Sequence, residues 1–200
     1  MKTELKKKLS KVEDFQDPRI SLEQYVTPPE LAADLLHAAE MQRDLEEVID
    51  LGTGTGIFAI GAAVLDADVT AVEKDEEALE IAKKNAEKLG VREKIDFVNK
   101  DVREVTGERE TVFMNPPFSQ HTDLGMEFWA RAVSLGEKIY AVSPATGREG
   151  IKSFIDSSNH RIVELENYTI DLPATYGFHT QESRETSVDL IITEATNNGN

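Results

Sequence analysis

The sequence contains no cysteine, which excludes disulfide scaffolds, thiolate zinc sites and cysteine nucleophiles. It also has no long apolar run. The longest, Ile57 to Leu65, is nine residues with Gly61 inside it, against the ~20 that a membrane helix needs. Positive charge is scarce: Lys+Arg 22 against Asp+Glu 38 gives a net charge of −16. A free-standing nucleic-acid binder usually shows a basic surface. Here the concentrated positive charge lies in residues 1–20, with six Lys/Arg and four Asp/Glu, so the other 180 residues carry −18. The start, MKTELKKKLSKVEDF, is basic without an apolar stretch and does not read as a secretory signal. With neither signal nor disulfides, the chain is expected in the cytoplasm. His37, His121, His160 and His179 have no ligand-like spacing, and no metal site is expected.

What is present suits one globular domain: 200 residues, 40% apolar and 30% charged. Residues 2–13 read as a short basic amphipathic helix with Leu5, Leu9 and Val12 on one side, broken by Asp17-Pro18. Thr27 is expected to N-cap the next helix, with Pro28 at its first position and Glu30 three residues after the cap. That helix would run to about Met41 and bury Leu31, Leu35, Leu36 and Ala39. Strands and helices then alternate. EEVIDL, DVTAVE, KIDFVNKD, ETVFMNPPF and KIYAVSP are strands; IFAIGAAVL, DEEALEIAKKNAEKLG and residues 123–135 are helices. Residues 148–157 look helical, and HRIVELENYTI and TSVDLIITE close the chain as an antiparallel pair. The pattern predicts an α/β fold with helices on both faces of a seven-stranded, mostly parallel sheet with one antiparallel strand. The expected division is a basic helical arm over 1–20, one domain over 21–196 and a frayed tail over 197–200.

The sequence DLGTGTG, Asp50 to Gly56, sits where a first strand ends and a helix begins. Its glycines are spaced two and two, unlike the Gly-x-Gly-x-x-Gly of a dinucleotide loop. Asp50 would repel a pyrophosphate and suit a cationic ligand. S-adenosyl-L-methionine carries a sulfonium and an ammonium and no phosphate, so Asp50, Gly52, Thr53, Gly54 and Gly56 are assigned to that cofactor. Glu73 ends the second strand, 23 residues after Asp50, where an acid accepts ribose hydroxyls. Asp75 is expected to cap the helix that follows. Asp101, with Val102 beside it, follows the third strand and is placed to accept an adenine amino group. All three acids fall at the carboxyl edge of one parallel sheet, where ligands of such folds bind.

Asn115-Pro116-Pro117-Phe118 follows the fourth strand. Turn chemistry explains Asn-Pro but leaves the aromatic unexplained. A phenylalanine at the rim of a cofactor cleft is placed to stack on a flat substrate. Here the sequence resembles methyltransferases that act on planar exocyclic or amide nitrogens. The Asn115 oxygen and the Pro116 carbonyl would each accept one N–H of such a nitrogen and aim its lone pair at the methyl. Trp129 is expected in a helix core.

The resemblance extends further. LEQYVT, DLGTGTG, VEKDEEALEIAKKN, NKDV and NPPF, in this order, are similar to the archaeal and eukaryotic family of methyltransferase-like adenine-N6 methylases of small-subunit ribosomal RNA. The resemblance implies a Rossmann-like class I methyltransferase fold, S-adenosyl-L-methionine as cofactor and structured RNA as substrate. It carries Gln24, Tyr25 and Thr27 over as cofactor contacts and sets His179, in YGFH, toward the substrate. It also implies a small zinc-binding activator that adds a strand to the sheet edge. Lys2, Lys6, Lys7, Lys8 and Lys11 would offset the acidic charge toward RNA. The chain departs from the family in having Glu73 where relatives often have Asp, and in VSPATGRE, which matches no family feature. Alternatives are a glutamine-N5 protein methyltransferase, which usually has Tyr at position 118, a DNA adenine methylase, and a non-catalytic cofactor-binding subunit.

Overall fold

The protein is described by a computed structural model over residues 2–15, 27–117, 124–173 and 183–196. The chain order is α1 (Lys2–Leu9), α2 (Pro29–Gln42), β1 (Glu47–Leu51), α3 (Ile57–Val64), β2 (Asp68–Glu73), α4 (Glu76–Lys88) and β3 (Ile95–Asn99). It continues with β4 (Arg109–Met114), α5 (Leu124–Leu135), β5 (Gly136–Pro144), α6 (Arg148–Asp156), β6 (His160–Pro173) and β7 (Ser183–Ala195). The seven strands form one sheet in the order β3-β2-β1-β4-β5-β7-β6. β7 pairs antiparallel with both neighbours, β5 and β6, and every other pairing is parallel. This is the expected sheet, with one reversed strand. Strand order reverses between β1 and β4, the switch point where open α/β sheets bind ligands.

The period-2 alternation of each strand feeds two cores. Val48, Val69, Ala71, Phe113, Tyr140 and Val142 face α1, α2 and α3, whereas Ile49, Leu51, Val112, Met114, Ile139 and Ala141 face α5 and α6. Trp129 is buried in the second core, as expected. Phe113 lies between two rings, 5.4 Å from Phe58 and 5.1 Å from Tyr140 centroid to centroid.

Three local features follow the sequence signals. Asp75 caps α4 by accepting from the Glu77 N–H at 3.2 Å. Gly90, at φ +72°, turns the chain out of that helix, a conformation that costs a side-chain-bearing residue about 1 kcal/mol. α2 buries Leu31, Leu35, Leu36 and Ala39.

Two features differ. Thr27 does not cap α2. The cap residue is Pro28, without a side-chain bond, and Pro28 O accepts the Ala32 N–H at 3.1 Å. With Pro29 two residues after Thr27, one of the two N–H groups that a capping hydroxyl would serve is missing, and the Thr27 side chain is used elsewhere. The N-terminal helix is also shorter than its pattern, ending at Leu9 and continuing as a turn. It is docked on the domain: Leu5 and Leu9 are buried against α2 and α3. Gly61 of α3 permits this approach, since a Cβ there would collide with Leu36 and lie 3.3 Å from Leu9.

Candidate functional site

The loop between β1 and α3 needs its glycines. Gly52, Gly54 and Gly56 have φ of +71°, +55° and +94°. The N–H groups of Gly52 and Thr53 both donate to Val72 O at 2.9 Å, fixing the loop to the end of β2. A Cβ on Gly52 would lie 2.8 Å from the Phe128 ring, and one on Gly56 would lie 3.1 Å from Ala82 Cβ. Gly52 and Gly54 line a cleft, whereas Gly56 faces α4 and serves packing.

Asp50 lies behind this loop and does not line the cleft. By strand alternation it points to the same face as Val48, under the start of α3. Its Oδ2 accepts the Thr53 hydroxyl at 2.6 Å and the Ala59 N–H at 3.0 Å. The cap residue of α3 is a glycine, Gly56, with no side chain to offer. Asp50 therefore supplies, from the strand, the acceptor that the third N–H of the helix requires, and places a carboxyl at the positive helix end. Only 1% of the residue is exposed. Burial pushes its carboxyl up to about 7, outweighing the opposing bonds from Thr53 and Ala59.

The cleft opens along the carboxyl ends of β1, β2, β3 and β4. Thr53, Glu73, Asp101, Val102, Asn115 and Pro117 all line it, so the sequence assignments at four strand ends meet in one place. Glu73 accepts the Gly54 N–H on Oε2 and the Asp75 N–H on Oε1, each at 3.0 Å. Burial raises its pKa. Asp101 accepts from Arg103 Nε and Nη2, both at 2.8 Å, and this pairing draws its carboxyl down to about 2. Asn115 Nδ2 donates to Thr27 Oγ1 at 2.8 Å. That bond orients the amide, with the carbonyl oxygen on the opposite side from Thr27. The apolar wall consists of Phe15, Ile57, Phe58, Val72, Val102 and Phe128.

The chain has relatives among known proteins. Residues 30–139, more than half of the chain, match the Methyltransferase small domain family. The rRNA N(6)-adenosine-methyltransferase METTL5 of Danio rerio is 34% identical over 94% of this chain and 96% of its own. Its Drosophila melanogaster namesake is 32% identical over 93% and 92%. The chain belongs to the methyltransferase small-domain family. Its fold is that of a Pyrococcus horikoshii protein described as a proposed RNA methyltransferase, with a TM-score of 0.90, 30% identity and 98% of each chain covered. A magnesium protoporphyrin IX methyltransferase from Synechocystis solved with S-adenosylmethionine shares the fold at 15% identity and a TM-score of 0.61, over 80% of this chain and 77% of its own. The family's reaction is methyl transfer from S-adenosyl-L-methionine, and the chain is a methyltransferase of that kind.

The cleft suits that cofactor by its own chemistry. It offers a loop in which side chains are excluded at Gly52 and Gly54, two carboxylates at Glu73 and Asp101, and apolar walls for a ring. Phe15, Leu124 and Phe128 also line it and no sequence motif marks them, while Lys74 and Lys100 line it from within VEKDEEALEIAKKN and NKDV without having been singled out. Phe15 and Phe128 reach it from elements remote in the chain, so local spacing carries no signal for either. Gln24, Tyr25, Phe118, His121 and His179 lie outside the described residues. Lys6 on α1 pairs with Glu30 at 2.9 Å and Lys2 pairs with Asp34, whereas Lys7 and Lys8 are exposed. Among the described residues, no helix is long and apolar enough to cross a membrane.

Proposed function

We propose that the chain transfers a methyl group from S-adenosyl-L-methionine to the N6 amino group of an adenosine in structured RNA, the small-subunit ribosomal RNA being the substrate. The observation that carries this reading is the corner after β4, where Asn115 lines the cleft with its amide held by Thr27. When bound, the cofactor supplies an electrophilic methyl on a positively charged sulfur. The residues of the chain do the rest. Glu73 accepts the ribose hydroxyls and Asp101 the adenine amino group of the cofactor, while Val102 packs on its ring. Asn115 Oδ1 and the Pro116 carbonyl accept the two N–H groups of the target amine and turn its lone pair toward the methyl. Phe118, next in sequence after Pro117, stacks on the target base. His179, between β6 and β7 in sequence, is a substrate-binding residue.

The relatives' names support this substrate. Proteins named as rRNA N(6)-adenosine-methyltransferases align with nearly the whole chain, whereas a release factor glutamine methyltransferase of Chlorobaculum tepidum aligns with 52% of it. The exposed lysines of α1 and the segment after it contact the RNA backbone. A small zinc-binding partner pairs with a sheet edge, and β3 is one of the two edge strands. The enzyme works in the cytoplasm. Incubating ribosomal RNA with the protein and isotopically labelled cofactor, followed by mass spectrometry of nucleosides, is the direct test. Labelled N6-methyladenosine is expected with the wild type and not with Asn115→Ala.

A further inference from the structure

The segment that follows α1 runs to the glycine loop and is fastened there by one side chain. Asn85 of α4 is buried, and its amide is fully engaged with backbone. Its Oδ1 accepts the Glu13 N–H at 2.9 Å, and its Nδ2 donates to Glu13 O and to Thr55 O, each at 3.0 Å. One amide thus holds both backbone groups of Glu13 and, 30 residues away, the glycine loop itself. Lys88, one turn further along α4, pairs with the Glu13 carboxylate at 2.8 Å. Two residues beyond this clamp, Phe15 lays its ring on Gly54, where a Cβ would stand 3.0 Å from Phe15 Cζ. Phe15 lines the same cleft as Glu73, and the Gly54 N–H is bonded to Glu73.

From this we infer that Phe15 is a cofactor-binding residue and Asn85 its positioning residue, so that the N-terminal segment serves the cofactor site. The inference rests on the methyltransferase reading above. An aromatic ring over Gly54 removes water from the mouth of the Glu73 site, and hydrogen bonds to a carboxylate strengthen as water is excluded. A ring at the end of an untethered segment would lose that gain to conformational entropy, and the clamp at Glu13 removes most of this cost beforehand. The arrangement adds a packing reason for glycine at position 54 to its φ of +55°: a Cβ there would stand 3.0 Å from the ring, which would have to give way.

The test measures binding of S-adenosylhomocysteine by calorimetry, with no RNA and no turnover, alongside thermal unfolding of each variant. Phe15→Ala is expected to weaken binding roughly tenfold, the scale of one aromatic packing interaction, with Phe15→Leu in between. Asn85→Ala is expected to weaken binding by a similar factor and to lower the melting temperature. In the Phe15→Ala background, Asn85→Ala should have little further effect on binding, because the two act through one ring. A purely structural Asn85 would lower the melting temperature and leave the binding of the folded fraction unchanged. Wild-type protein that binds while Phe15→Ala binds within twofold of it overturns the inference alone. Wild-type protein that binds no S-adenosylhomocysteine overturns the methyltransferase reading and the inference together.

Discussion

Asn115, just after the end of β4, donates its side-chain amide to the Thr27 hydroxyl at 2.8 Å across 88 residues of sequence. The bond ties the corner that would hold the acceptor nitrogen to the start of α2. Asn115→Ala is expected to abolish methyl transfer while S-adenosylhomocysteine binding stays within a few-fold. Thr27→Val keeps the shape and loses the hydroxyl, so kcat should fall by roughly 10- to 100-fold, the cost of a misplaced acceptor group. Thr27→Ser should recover most of it. Single-turnover assays on ribosomal RNA with parallel calorimetry check both.

Asp50 makes the stability of the ligand-free protein depend on pH. Its pKa is raised by burial to about 7 from the ordinary carboxylate range. The folded state therefore binds the proton more tightly than the unfolded state. This contribution is complete below about pH 4 and is lost as pH rises through about 7. Urea unfolding between about pH 5.5 and 8.5 should show the wild type losing stability relative to Asp50→Asn, on the order of 1–4 kcal/mol across the range. Parallel curves would contradict the assignment.

Leu9 is fully buried although it lies on a basic helix near the chain start. Leu9→Ala is expected to cost about 2–5 kcal/mol, as deletion of a core leucine does. Gly61→Ala forces a Cβ against Leu36 and should cost about 1–3 kcal/mol. An N-terminal helix that merely trailed from the domain would leave the melting temperature unmoved in Leu9→Ala, whereas the Gly61→Ala clash with Leu36 of α2 does not depend on α1.

Arg148 meets the buried carboxylate of Asp189 with Nε at 2.8 Å and Nη2 at 2.5 Å, and Asn167 Nδ2 donates to the same carboxylate at 2.8 Å. Burial raises the Asp189 pKa, but these donors outweigh it and the net shift is downward. Arg148→Ala strands the charge. Because Arg148 is itself 33% exposed, the cost should be about 2–4 kcal/mol, below that of a fully buried pair. The double variant Arg148→Ala/Asp189→Asn should be more stable than Arg148→Ala alone, measured by urea unfolding.

Lys7, Lys8 and Lys11 are exposed on the basic segment. Replacing all three with Gln should raise the KM for RNA and leave cofactor binding unchanged. It should also flatten the salt dependence of RNA binding by a slope of ~0.7–0.9 for each phosphate no longer neutralised. Binding isotherms at several salt concentrations give that slope.

Much of this architecture is written locally. The short apolar runs of EEVIDL and DVTAVE, the amphipathic period of α4, Asp75 before that helix and Gly90 after it all act between residues within one turn or one strand. The carboxyl-edge position of Glu73, Asp101 and Asn115 is legible as well, because each lies at or just after the end of a parallel strand and such ends share one edge. What the sequence could not specify was which way a side chain at that edge turns. Asp50 looked like a ligand contact, but strand alternation aims it under α3, whose cap residue is a glycine. Thr27 looked like a helix cap, but the helix is capped at Pro28 and the Asn115 amide donates to the Thr27 hydroxyl. Phe15, Asn85 and the Arg148–Asp189 pair join segments 30 to 72 residues apart. Pairings of that range leave no periodic trace in the chain. They exist only once the sheet order and the docking of α1 and α4 have been decided by packing.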